Sequence, residues 1–439
     1  MKPAFRISCI ALSFAFGAAR ADIIEIDPDG DFRSAMQDLR PGDTLIMHGG
    51  VYSLSDYFEL DLAGEADAPI TIRAAPGEQP VLHYAGSDQN IVNIVDSRFL
   101  VIQGVEFSGG SRGIRLTSSS DITIRDCHIH DTAANAISAN DEGNDYARLA
   151  FVHNEIDHAG GTAEGFYLGC NEDACRVHDS LVANNYVHDL DGETVTQGDG
   201  IEIKAGSYAN VVRDNVIHDT AYPGITLYYA HADAPNVIER NLVWNSGDNG
   251  IQVTADAIVR NNIVLGAAGA GIGVHASQGG DVAHLVIVNN TVLKASGDAV
   301  HLSDVAGAVL VANNALYAAN GNAIFANGAT GQVTLVANVG TGSLSGVSGG
   351  FDASGDIAAD FSAANFSGAP PQDLVPRTGR LVGTGDAATL ATDDFNAATR
   401  APAIDVGAYR NDPAGNQGWP LQAGFKEFGD AIFADGFDG

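Results

Sequence analysis

The chain has 439 residues, with 22 lysines and arginines against 55 aspartates and glutamates, a net charge of −33. That balance excludes nucleic acid and anionic membrane surfaces as partners, because both are held by basic patches. It also repels an anionic polysaccharide unless a cation or a local basic group intervenes, although acidity in an exported chain is more often simply a matter of solubility.

The first 21 residues read as a secretory leader. Lys2 and Arg6 are its basic start, residues 7–18 its apolar run, and Ala19-Arg20-Ala21 a small-x-small cleavage site. The mature chain is expected to begin at Asp22 and to be secreted, either periplasmic or extracellular. The apolar run is shorter than the ~20 residues a membrane-crossing helix needs, so no membrane span is expected. Three lysines remain after the leader, Lys204, Lys294 and Lys426. Cys170 and Cys175, in CNEDAC, are close enough to close a disulfide loop in an oxidising compartment. Cys127 is expected to be a buried free thiol.

Residues 22–99 read as an N-terminal cap with the first coils. Residues 31–39 (DFRSAMQDL) suit a short amphipathic helix, residues 40–53 a turn, strand and turn, and residues 68–82 two more strands. From 100 to 340 the chain repeats. An asparagine between short β-branched runs recurs at Asn154, Asn185, Asn215, Asn241, Asn262, Asn290, Asn314 and Asn338, at spacings of 21 to 31 residues, with Cys127 in the same slot one turn earlier. A period in the twenties with insertions is the signature of a stacked solenoid. A second marker is a small residue before a period-two run: Gly113, Gly165, Gly200, Gly224, Gly250 and Gly271. That alternation makes strands with one face in and one face out, and nothing in it follows the helical period.

The predicted fold is therefore all-β, a single right-handed parallel β-helix with an N-terminal cap and an irregular C-terminal closing segment. Successive coils stack about 4.8 Å apart. The recurring asparagine is expected to take the left-handed conformation at a tight bend and to bond the same amide on neighbouring coils. Ile201, Ile203, Val212 and Ile217 should point inward. Residues 341–415 should close the last coil, and residues 416–439 form an acidic tail whose end, from residue 425, reads as loose.

Parity then places the outward side chains. One column holds Arg115, Ser138, Tyr167, Glu202, Thr226, Gln252 and His301. The next holds Thr117, Asn140, Gly169, Lys204, Tyr228, Thr254 and His275. Lys204 is thus expected one coil from Tyr228, with Glu202 beside it and Tyr167 close by. The inserts at 131–135, 159–164 and 189–199 feed these strands and suit the walls of a binding groove.

A lysine and a tyrosine on adjacent rungs suit β-elimination of a uronate polymer, with Lys204 taking the C5 proton and Tyr228 protonating the leaving oxygen. A free lysine, with a pKa of about 10.4, is a weak base near neutrality. A divalent cation, Ca2+, held by carboxylates such as Asp199, Glu202 and Glu164 would help and would neutralise the substrate carboxylate. Tyr167, Asn140, Tyr229 and Arg115 are the candidate substrate-binding residues. The bland reading of Lys204 is a surface ion pair with Glu202, worth little. A further column, His130, Asp157, His188, His218 and Trp244, could bind metal or supply acids, but surface stacking is the favoured reading. Arg213, Glu239 and Arg260 read as an ion ladder.

Two stretches carry a family resemblance. PGDTLIMHGGVYS followed by APITIRAAPGEQPVL resembles the entry of polysaccharide lyase family 6, the chondroitinase B and alginate lyase family, and IEIKAGSYANVVRDN resembles that family's segment around its base lysine. The resemblance covers about residues 40–245. It implies a right-handed β-helix, β-elimination on acidic polysaccharide, Lys204 as base and often calcium at the site, with Asp199 and Glu202 matching the acidic ligands. The sequence departs from the family where an arginine and a histidine are expected on the next coil, in GITLYYAH. Tyr228 and Tyr229 stand there, so the acid role passes to Tyr228. The expected protein is a monomeric secreted polysaccharide lyase. The alternatives are a non-catalytic glycan-binding or surface protein, and a glycoside hydrolase using Asp199 and Glu202.

Overall fold

The computed structural model describes residues 21–228, 234–277, 281–330, 332–377 and 379–427. Residues 1–20, where the leader is expected, Tyr229 and residues 428–439 lie outside the described residues. Among the described residues no helix is long and apolar enough to cross a membrane.

The chain winds into a right-handed parallel β-helix with three strand ladders. The first ladder is a 13-stranded parallel sheet running from Ile23–Ile26 to Val333–Val336. The second runs from Gly50–Leu54 through Glu106–Gly109, His128–His130, Glu155–Asp157 and Tyr186–His188 to Val216–Thr220 and beyond. The third carries Ile114–Thr117, Ile137–Ala139, Phe166–Leu168, Ile201–Ile203, Ile225–Leu227 and Ile251–Val253. Both later ladders meet in the long strand Ala315–Asn327, which pairs with Thr291–Lys294 and with Val300–Ser303. Stacking begins at the first described strand, since Ile23–Ile26 pairs with Thr44–Met47. The helix Phe32–Gln37, capped by Asp31, lays Phe32 and Met36 on the open end. That plug removes apolar surface and strand ends from water, as an unpaired coil requires.

Inward residues follow the predicted parity. Ile201, Ile203, Val212 and Ile217 are fully buried in one continuous core. Burying such side chains contributes roughly 1.5–3 kcal/mol each, which is what holds coils lacking local contacts together.

The asparagine ladder is present, with one correction. Asn215 Nδ2 donates to Asn241 Oδ1 at 2.9 Å and to the Val182 carbonyl at 2.9 Å, and its own Oδ1 accepts from Asn185. The pattern repeats from Asn154 to Asn338. Cys127 heads it, its N–H donating to Asn154 Oδ1 at 3.1 Å. The left-handed residue is the one before each ladder position: Asp126, His153, Asn184, Asp214, Arg240, Asn261, Asn289, Asn313 and Ala337. The ladder amide itself is turned inward to satisfy buried carbonyls that no strand reaches. A second ladder links Ser180, Asn210 and Asn236 at another corner. The expected column Arg213, Glu239 and Arg260 stands in register, and Glu239 bonds Arg260 at 2.6 Å and its chain neighbour Arg240 at 3.0 Å.

The closing segment does more than cover the last coil. It runs back along the outer face of the second ladder. Phe395, Val406, Ala408, Tyr409, Trp419 and Leu421 bury Val216, Leu242, Trp244, Ile263, Leu265 and Leu293 in a core of their own. Lys426 is fully buried, bonding Asp214 at 2.9 Å and the Phe395 carbonyl at 2.6 Å, and Phe425 stacks on His153 at 4.0 Å. The segment from Phe425 to Glu427 is thus docked rather than loose. A run of outward apolar residues on a solenoid face demands such a cover.

Candidate functional site

The third ladder sets the columns as parity requires. Arg115, Ser138, Tyr167, Glu202, Thr226 and Gln252 are register partners on successive coils. Lys204 and Tyr228 follow their strands by one residue, and the Tyr228 N–H donates to the Ile203 carbonyl at 2.9 Å. Gly169 lies beside them. A Cβ there would stand 2.8 Å from Ser207 Oγ and 3.1 Å from Lys204 Cβ, at a φ of +92° that side chains avoid, so the glycine makes room for the lysine.

Lys204 is buried. Its Nζ donates to Glu202 Oε1 at 2.6 Å and lies 4.7 Å from the centre of the Tyr167 ring and 4.6 Å from that of Tyr228. Two half-buried rings therefore clasp one ammonium, each contact worth about 0.5–2 kcal/mol depending on desolvation. The surface-pair reading fails on burial, since neither Lys204 nor Glu202 is in water.

A second line of polar residues runs alongside, one position before each small-residue marker. Arg112 Nε donates to Asn135 Oδ1 at 3.0 Å, Asn135 Nδ2 donates to Glu164 Oε2, and Asp199 comes next, accepting from Thr226 Oγ1 at 2.7 Å. Glu164, Asp199 and Glu202 are all buried, and Glu164 Oε1 and Glu202 Oε2 have no hydrogen-bond partner among the described residues. Burial first, then repulsion from Glu164, raises the Asp199 carboxyl; burial first, then repulsion from Asp199, raises that of Glu202. Burial first also pushes the Tyr228 hydroxyl up to about 12, with Glu202 and Asp199 adding and Lys204 opposing. Tyr167 is raised too, by burial and then by Glu202.

The predicted residues divide accordingly. Lys204, Tyr228, Tyr167, Glu202, Asp199 and Glu164 come together. Arg115 is on the same face but bonded to Asp141, one coil away. Asn140 follows the strand Ile137–Ala139, half-buried. Tyr229 lies outside the described residues. Arg112, Asn135 and Thr226 were not foreseen as site residues. The signal was available for the first two, because both occupy the same offset before the marker as Glu164 and Asp199. Cys170 and Cys175 form a disulfide beside the site, and Cys127 is free and buried, its thiol pushed up to about 12 by burial.

For a hard divalent cation the donor set fits in kind, with three carboxylates and two buried oxygens awaiting a partner. The oxygens are not gathered, however. Among the described residues the sets whose ligand atoms all lie within 4.8 Å of one another are on the second ladder, not at Glu164, Asp199 and Glu202. The second-ladder column stacks, His188 on His218 at 5.4 Å and His218 on Trp244 at 4.1 Å, but His218 and Trp244 are buried rather than on the surface, Trp244 in the core that the closing segment forms.

Fold and site define a right-handed parallel β-helix with a buried lysine–carboxylate cluster on one face. Residues 17–192 match the family model described as the right-handed β-helix region of Pel9A-like proteins, and residues 178–339 match that of the periplasmic copper-binding protein NosD. No curated protein matches the sequence. Among solved structures, pectate lyase Pel9A is 14% identical, with 90% of this chain and 98% of that chain covered and a TM-score of 0.54. An alginate lyase from Paenibacillus sp. str. FPU-7 is 20% identical over 76% of this chain and 99% of that one, at 0.50. The family 6 alginate lyase AlyGC is 18% identical over 92% of this chain and 60% of that one, also at 0.50. Likeness at these identities establishes the fold.

Proposed function

We propose that the protein is a polysaccharide lyase acting on a uronate-containing polymer outside the cytoplasm. The observation that carries this is Lys204, clasped between Tyr167 and Tyr228 and bonded to a buried glutamate. β-Elimination needs a base at C5 and an acid at the oxygen leaving C4. Lys204 acts as a free amine once its proton passes to Glu202 across their 2.6 Å hydrogen bond, a transfer that the raised Glu202 carboxyl favours. The amine takes the C5 proton, the C4–O bond breaks as the C4–C5 double bond forms, and Tyr228, held protonated near neutrality, gives its proton to the leaving oxygen. The Lys204 ammonium then returns a proton to the Tyr228 phenolate. The pectate and alginate lyases among the structural neighbours support the substrate class, and the leader sequence, the disulfide and the match to a periplasmic family support export.

A second reading has one observation in its favour. Burial and then repulsion from Asp199 raise the Glu202 carboxyl, as the acid of a glycoside hydrolase requires, with Asp199 as the second carboxyl of the pair. Incubation with alginates, pectates and glycosaminoglycans separates the readings. Absorbance of an unsaturated product, lost in Lys204→Ala, supports the lyase. New reducing ends without absorbance favour the hydrolase, and binding with neither signal a non-catalytic glycan-binding protein. Elimination retained in Lys204→Ala removes the assignment of the base.

A further inference from the structure

The second ladder carries a cluster that the proposed lyase reaction does not use. His128 and Glu155 are register partners on adjacent coils, and Asp157 partners His188 on the next. Ligand atoms of His128, Glu155 and Asp157 all lie within 4.8 Å of one another. His128 Nε2 is 2.6 Å from Asp157 Oδ2, and His188 Nε2 is 3.4 Å from Glu155 Oε1 and 4.0 Å from Asp157 Oδ2. The salt bridges of Glu155 and Asp157 among the described residues are all to histidines.

His188 is the informative residue. Its Nδ1 faces Asp189 Oδ2 at 2.7 Å while its Nε2 faces Glu155. A neutral imidazole has one N–H, so one of these contacts sets a lone pair against a carboxylate unless a second proton or a metal ion stands there. A carboxylate on Nδ1 that turns Nε2 toward other ligands is the usual outer shell of a metal-bound histidine. Ligands about 2.0–2.1 Å from a tetrahedral ion lie about 3.3 Å apart, close to the Glu155–His188 separation. A neighbouring set, Glu106, His128 and His130, also gathers within 4.8 Å. There the two rings stack at 4.2 Å and 25°, and lone pairs in nearly parallel planes do not meet on one ion.

We infer that His128, Glu155 and Asp157 form a site for a divalent transition ion of the Zn2+ class, bridging two adjacent coils, with His188 of the next coil standing against both carboxylates. Mixed imidazole and carboxylate ligands suit such an ion better than Ca2+, which takes oxygen. The site is separate from the lysine–carboxylate cluster of the third ladder.

The test is Zn2+ binding to the full chain, followed by calorimetry and by the rise in melting temperature that binding to the folded state produces. One equivalent and a clear rise are expected for the wild type. Asp157→Asn and His128→Gln should each weaken binding by at least about tenfold and abolish the rise, while Glu202→Gln leaves both unchanged. If Asp157→Asn disturbs folding, His128→Gln carries the test, since that ring is 31% exposed. No rise in the wild type, or a rise that persists in both variants, overturns the assignment.

Discussion

Lys204 and Glu202 form a buried ion pair on one strand end, Nζ 2.6 Å from Oε1, while Glu202 Oε2 has no hydrogen-bond partner among the described residues. Removing one member of such a pair leaves the other charge uncompensated, at a cost of about 3–5 kcal/mol, whereas removing both leaves a smaller defect. Lys204→Ala is therefore expected to lower stability by about 3 kcal/mol, and Lys204→Ala with Glu202→Gln to recover most of it. Urea unfolding of the single and double variants measures this. Equal losses in both would show that the two groups are not coupled.

Tyr228→Phe removes the proposed proton donor and keeps the ring against Lys204. The expected loss is about 10²-fold or more in kcat with KM little changed, the usual size of a general-acid contribution. An unchanged kcat would move the acid role to another group.

The pH dependence of stability has a defined sign. Burial, with repulsion from Glu164 on Asp199 and from Asp199 on Glu202, holds both carboxyls above the ordinary carboxylate range. The folded state then binds more protons than the unfolded state, so stability falls as pH rises from about 4, where a free carboxyl ionises, toward the raised values. Asp199→Asn takes out one of the two repelling charges. Its melting temperature should rise relative to the wild type as pH goes from about 5 to neutral, and parallel profiles for the two proteins would contradict the coupling.

The β-helix was legible because its restraints are periodic. The asparagine slot, the glycine marker and the inward isoleucines recur once per coil, and register turns them into columns, which is how Tyr167, Lys204 and Tyr228 could be set side by side in advance. Two kinds of feature were not legible. The left-handed bend residues are mostly Asp or Asn, which tolerate that conformation, but His153, Arg240 and Ala337 take it too, and nothing local separates the bend residue from the ladder asparagine beside it. The return of Phe395, Trp419 and Lys426 along the second ladder depends on contacts across some 150 to 210 residues, as between Arg240 and Asp393 or Asp214 and Lys426, and has no period to betray it.

The asparagine ladder makes a prediction of each sign. Asn215→Leu strands the Asn185 N–H and the Val182 carbonyl in the core, and each unsatisfied buried group costs about 1–3 kcal/mol. Cys127→Asn, at the head of the ladder, should do the reverse. Its backbone already donates to Asn154 Oδ1, and its thiol lies 3.8 Å from the Ile102 carbonyl that an amide would reach. A gain of about 1 kcal/mol is expected in denaturant unfolding; destabilisation would mean that the first coil cannot take the larger side chain.

Lys426 locks the closing segment onto the β-helix. Its amine reaches Asp214 at 2.9 Å, the Arg240 carbonyl at 2.9 Å and the Phe395 carbonyl at 2.6 Å, with the Phe395 ring 3.5 Å away, and Asp214 also bonds Arg240. Lys426→Met keeps the volume of the stem and removes the charge. Asp214 would keep Arg240, so the expected loss is about 3 kcal/mol rather than a collapse of the coil. The consequence should be local: amide hydrogen exchange would accelerate in residues 393–427 and over the covered strand Leu242–Ser246, while the third ladder around Lys204 keeps its protection. Faster exchange throughout the chain would instead make the closing segment a condition of the whole fold, its removal unfolding the stack that it covers.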